Sequence, residues 1–169
     1  MRKTFYFIIL IVISSINTAL SQSNSIDKFF SKEANNSNFT QVVVSDKMLG
    51  MLSEKEGYDQ EIKDILSKLN GLNILKTEKS PNDFFNLAKS KYKSSNYEEL
   101  MSVKDHGSNV VFYSTGSNGR TVKELVMLIG NTSQTVLMSF TGNINLDEIS
   151  KLGQALDIQG ADKLKELGK

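Results

Sequence analysis

EELMSVKDHGSNVVFYSTGSNGRTVKELVMLIGNTSQTVLMSFT, residues 98–141, is the stretch whose reading decides the fold. Up to Glu98 the apolar residues recur at the helical period, and from Glu98 they recur at the period of two that a strand imposes. Segments 98–104, 109–115, 120–129 and 134–141 are separated by His106-Gly107-Ser108, Gly116-Ser117-Asn118-Gly119 and Gly130-Asn131-Thr132-Ser133. Gly, Asn and Ser at such joints supply the backbone conformations of tight turns, so the four segments read as an antiparallel meander.

Working outward toward the N-terminus, the chain alternates short helices and short strands. Ile26, Phe29 and Phe30 lie at i, i+3 and i+4, a short amphipathic helix that the polar run Asn35 to Asn38 ends. The β-branched segment 39–44 reads as a strand. Ser45 is placed to cap a helix with Met48, Leu49, Met51 and Leu52 on its apolar stripe, which Gly57 breaks. Ile62, Ile65, Leu66 and Leu69 form a cleaner stripe, with Asn70-Gly71 as the expected C-cap and 72–77 as the next strand. Ser80 at the N-cap and Pro81 at the first position then open a helix that buries Phe84, Leu87 and Ala88. Beyond the meander, Leu146, Ile149, Leu152 and Leu156 suggest a closing helix, and residues 162–169 a last turn or a frayed tail. The expected architecture is α+β: a mostly antiparallel sheet of about six strands packed against about four helices in two layers. It occupies residues 22–169 as one domain.

Residues 1–21 read as a secretory signal peptide. Arg2 and Lys3 form a positive start, Phe5 to Ile13 an unbroken apolar core, and Ala19 and Ser21 the two small-residue positions that a signal peptidase recognises. Nine apolar residues rise only about 13 Å as a helix, against the roughly 30 Å of a hydrocarbon layer. No later stretch reaches membrane-spanning length. The expectation is a periplasmic or secreted protein without a transmembrane segment in its mature form, and with no cysteine it is not a lipoprotein.

Composition narrows the chemistry further. The full chain carries 20 basic and 19 acidic residues, and removal of Arg2 and Lys3 with the signal leaves 18 and 19, a net of −1. That balance offers no global attraction to nucleic acid. The densest basic run, Lys89, Lys91 and Lys93 around Tyr92, reads as cations at the end of a helix, complementing its dipole. His106 is the only histidine and reads as a solvated turn residue rather than a metal ligand, since zinc needs three or four organised ligands. Gly116 to Arg120 reads as a hairpin turn, because a strand follows it where a phosphate loop would be followed by a helix. No nucleophile elbow or Cys-based arrangement is present, so no catalytic, metal or cofactor residues are assigned.

Glu98-Glu99 and Lys123-Glu124 are the charged residues set in apolar strand text. Paired carboxylates serve glycoside hydrolysis, but a cross-strand Lys–Glu pair on a solvated face is the simpler reading.

The set Phe39 to Ser45, Leu72 to Leu75, Tyr97 to Met101, Lys123 to Leu128, Phe140 to Ile144 and Leu146 to Ile149, in that order and spacing, resembles the domain-of-unknown-function family numbered 4252. The resemblance spans roughly residues 25 to 155. It implies a small exported protein of a Gram-negative, Bacteroidetes-type envelope, and it supplies no catalytic or ligand residues. Some similar proteins carry a lipobox cysteine that this chain lacks.

The function expected from these observations is an exported envelope protein acting as a non-enzymatic binding or interaction module, its partner an envelope protein, a peptide or an apolar ligand. A carboxylate-dependent hydrolase and a structural or adhesion-like surface component are the alternatives. In segment 120–129, Val122, Val126 and Leu128 fall on one face and Leu125, Met127 and Ile129 on the other. Val136, Met138 and Phe140 should face the helices. The second apolar face, with Leu137 and Val111 or Tyr113, is then either an interaction surface or covered by the helix at Phe29 and Phe30 or the tail at Leu164 and Leu167.

Export predicts a mature chain beginning at Gln22. The intact mass of protein recovered from the periplasm should lack residues 1–21, and a species retaining Phe5 to Ile13 would contradict this.

Overall fold

The computed structural model describes residues 20–149 and Lys151. Among these residues, four helices and six strands follow in the order α1 (Leu20–Ala34), β1 (Phe39–Ser45), α2 (Asp46–Ser53), α3 (Gln60–Ser67), β2 (Leu69–Thr77), α4 (Pro81–Lys93), β3 (Glu98–Asp105), β4 (Ser108–Thr115), β5 (Thr121–Gly130) and β6 (Thr135–Asn145). The strands form one antiparallel sheet in the spatial order β1-β2-β6-β5-β4-β3. The fold is α+β, and the four C-terminal strands are the expected meander. The signal segment through Ala19, the side chain of Ser21, the closing positions Leu152 and Leu156, and the tail with Leu164 and Leu167 lie outside the described residues.

Local chemistry explains most boundaries. The N–H of Met48 donates to Ser45 Oγ (3.3 Å), and the N–H of Ile62 to an Asp59 carboxylate oxygen (2.9 Å), so both helices open on side-chain caps. Pro81 starts α4 at a position whose N–H needs no partner. Ser80 before it adopts a left-handed φ of 48° and makes no side-chain cap bond, so its expected capping role is not the one it plays. The β3–β4 hairpin turns on His106 (φ 42°) and Gly107 (φ 85°), a two-residue turn with positive φ at both positions. In the β5–β6 turn Asn131 Oδ1 accepts the N–H groups of Ser133 and Gln134. Asn70 and Gly71 are not a helix cap. The β2 strand already begins at Leu69, and Gly71 pairs with Thr141.

The sheet is covered on both faces, which makes three layers where two were expected. On one side α2 and α3 bring Leu49, Ile62, Ile65 and Leu66 onto Val110, Phe112, Leu125, Met127, Met138 and Phe140. On the other, α1 and α4 bring Ile26, Phe29, Phe84, Phe85, Ala88 and Tyr92 onto Leu75, Val111, Tyr113, Val126, Leu128 and Leu137. Leu137, Val111 and Tyr113, the expected interaction face, are therefore core: Leu137 and Tyr113 are 0% exposed and Val111 1%. The physical reason is that both N-terminal and mid-chain helices are available to cover that face, so no apolar area there is left to a partner.

Three stripe assignments also change. Met48 and Met51 of α2 are exposed, leaving Leu49 as its buried anchor; Leu87 of α4 is exposed while Phe85 is buried; and Val122 packs with Leu125, Met127 and Ile129 rather than opposite them. The last follows from a register shift in the β5–β6 pairing between Val122 and Glu124. Beside it, Gly142 in β6 has φ +144°, and a Cβ there would come within 2.4 Å of the Lys68 carbonyl oxygen, so a side chain has neither the conformation nor the space.

Phe85 packs over Gly130, where an added Cβ would lie 2.4 Å from the ring. Gly130→Ala is expected to destabilise the fold by about 1–3 kcal/mol, the usual cost of overpacking, measured by chemical denaturation. Tyr113 supplies a second prediction. Its ring stacks on Tyr92, its hydroxyl is buried without a hydrogen-bond partner, and burial, with Glu99 adding repulsion, raises its pKa from 10.0 to about 12. An unfolded tyrosine ionises near pH 10, so the stability linked to neutral Tyr113 is complete below pH 10 and is lost as pH rises through about 12. Tyr113→Phe should reduce the fall in unfolding free energy between those pH values. An unchanged fall would remove Tyr113 as its source.

Candidate functional site

The face under α1 is apolar over one part and polar over the other. Beside Leu75, Leu137, Val126 and Leu128, the same side of the sheet carries Gln41 of β1, Asn73 of β2, Ser139 and Thr141 of β6, and Glu124 of β5. Strand alternation brings these residues to one face, and the pairing aligns them: Asn73 lies opposite Ser139, and Thr141 opposite Glu124. Ile26, Phe30 and Ser31 on α1 form the roof. Between roof and floor is a cleft of about 220 Å³.

Glu124 is held from two sides. Tyr97 donates its hydroxyl to Oε2 and Ser139 donates its hydroxyl to Oε1, each at 2.6 Å, within the short range of hydroxyl–carboxylate bonds. Tyr97 is itself fixed by an edge-to-face contact with Tyr92, ring centres 5.0 Å apart. Ser139 is almost fully buried. The carboxylate is thus preorganised by Ser139 of β6 and by Tyr97 in the connection between α4 and β3. Each carboxylate oxygen has a further acceptor position beyond the bond it already receives.

The other sequence candidates fall elsewhere. Glu98 and Glu99 are exposed on the outer strand β3 and do not line the cleft, so the structure does not bring them to Glu124 as a catalytic pair there. Lys123 is exposed, its stem lying along Gly116, and Glu124 is partnered by hydroxyls; the expected cross-strand Lys–Glu pair on a solvated face does not form. His106 is exposed at the hairpin tip beside Asp105. Among the described residues no cluster of three or more His, Cys, Asp or Glu could hold a metal, and no helix is long and apolar enough to cross a membrane. Gly116 to Gly119 form a turn closed by Asn118 N–H to Thr121 O (2.8 Å) and Thr121 N–H to Asn118 O (3.2 Å).

Sequence reasoning missed Gln41, Asn73, Ser139 and Thr141. A signal existed: in strands that are apolar on both faces, a polar residue at an inward position needs a partner or a cavity, and Asn73 between Leu72 and Ile74 is such a residue.

Comparison with curated proteins finds no match, and comparison with solved structures finds none. Residues 29–152 match the family described as Domain of unknown function (DUF4252). That span contains all six strands and every cleft residue named above except Ile26. The chain belongs to the DUF4252 family.

Proposed function

We propose that this protein is an exported, non-enzymatic binding module, periplasmic or secreted, and that its ligand site is the cleft between α1 and the sheet. The N-terminal segment, positive start and apolar core ahead of Ala19 and Ser21, supports export. One observation carries the binding reading: Glu124 is the only acid among the described residues lining the cleft, and both of its oxygens are engaged by Tyr97 and Ser139. Carboxylate hydrolysis of glycosides uses two acids, one to donate a proton and one to activate water or attack. A single hydroxyl-bound acid among neutral amide and hydroxyl groups instead suits recognition.

The same lining indicates the ligand class. Among the described residues of the cleft there is no lysine or arginine, so the Glu124 carboxylate meets no cationic side chain among them. Gln41, Asn73 and Thr141 add donors and acceptors, and Phe30 an aromatic wall. A small polar molecule bearing one amine matches this set, its ammonium against Glu124.

Backbone amide NMR with ethanolamine, glucosamine and uncharged glucose as probes tests this. The two amines should shift the Asn73, Ser139 and Thr141 signals while glucose does not, and Glu124→Gln should weaken amine binding at least about tenfold, a loss of about 1.4 kcal/mol. Shifts absent from the cleft, or undiminished in the Gln variant, would refute the assignment.

A further inference from the structure

We propose that β1 is a self-association edge, through which two copies of the chain join by antiparallel β1–β1 pairing into one continuous sheet. This is independent of the ligand reading. Among the described residues the sheet has two edges, β1 and β3, and they differ in how they are guarded. Along β3 stand Glu98, Glu99, Lys104 and Asp105, and its pairing with β4 is interrupted by a register shift between Glu99 and Met101. Charges and bulges are the usual devices that prevent an edge strand from recruiting another. The other edge, β1, reads Phe39-Thr40-Gln41-Val42-Val43-Val44-Ser45, with no charge, no proline and no break in its seven-residue register against β2.

Its side chains are unusually open for a strand flanked by helix layers. Thr40 to Val43 are all exposed, Val42 by 45% and Val43 by 63%, on opposite faces of the sheet. Val42 extends the row of Val44, which packs on the α2–α3 cluster, and Met48 and Met51 of the adjoining helix are exposed too.

The sequence of β1 is compatible with a second copy of itself. A twofold centred on Val42 places Val42 against Val42, Thr40 against Val44, Gln41 against Val43 and Phe39 against Ser45. Beyond the strand, Asp46 falls opposite Asn38 and Lys47 opposite Ser37, so no like charges meet. Main-chain hydrogen bonds would supply the attraction, and the alternation of valines on the two faces the register.

Sedimentation velocity on the purified protein reads the proposal directly. The expected result is the mass of two chains, with Val42→Lys and Val42→Glu each reduced to one chain at unchanged circular dichroism, and an equimolar mixture of the two variants restoring the double mass. Hydrogen exchange of the wild type should show protection of amides 40–44 that rises with protein concentration, and this reading holds even if a variant folds poorly. A single-chain mass at high micromolar concentration, a Val42→Lys protein that keeps the double mass, or concentration-independent exchange along β1 would overturn it.

Discussion

The two-sided burial of β5 is the constraint on which the rest of the structure depends. Leu125, Val126, Met127 and Leu128 are consecutive and all 0% exposed, so this strand has no face that water could wet. Covering on both sides is the usual condition of parallel sheets, whose crossover helices provide it. Here every pairing is antiparallel, and the cover must come from helices inserted elsewhere in the chain. That requirement places β5 and β6 in the interior of the sheet and commits one pair of helices to each face.

Connectivity meets the requirement in an economical way. The first two strands enclose α2 and α3, which cover one face. From β2 the chain passes along α4 across the other face to the far edge, and the meander β3-β4-β5-β6 then returns until β6 lies against β2. Thr135 Oγ1 donates to the Pro81 carbonyl (2.8 Å), tying the start of β6 to the start of the crossing helix. The last strand therefore joins two halves that are far apart in sequence. The β2–β6 pairing therefore carries a loop-closure entropy that the short hairpins of the meander do not.

Strand positions were legible because each rests on local chemistry. His106-Gly107 and Asn131 act within a few residues, and alternation does the rest. The layer count was not legible, since period-two patterning in β5 shows that both faces are apolar without showing what covers them. Stripe membership failed for a related reason. Phe85 and Leu87 flank the same helical stripe, and the choice between them is made by Gly130, which opens space for one ring and lies 45 residues away in sequence. The Val122 assignment failed at the register shift between Val122 and Glu124, where the regular pairing that alternation relies on is interrupted. The cleft was invisible for the same class of reason: its floor is written in four strands and its roof in a fifth element, and only their assembly makes a cavity.

Because both faces of the sheet are covered, the two sites proposed above lie where that cover lapses. The two adjoin. The roof of the cleft ends where α1 leaves Gln41, and Gln41 also stands in the unguarded edge strand β1. In the symmetric register, Val43 of a second copy lies beside Gln41, at the outer end of the cleft. A ligand seated on Glu124 and a strand added at β1 would then share a boundary residue, and any effect of one on the other must be reciprocal. If the ligand stiffens Gln41, it favours pairing at β1, and pairing in turn favours the ligand by the same factor. The guarded edge at β3 has no such neighbour, since neither Glu98 nor Glu99 lines the cleft, so the proposed ligand site and the proposed pairing edge lie on one side of the sheet.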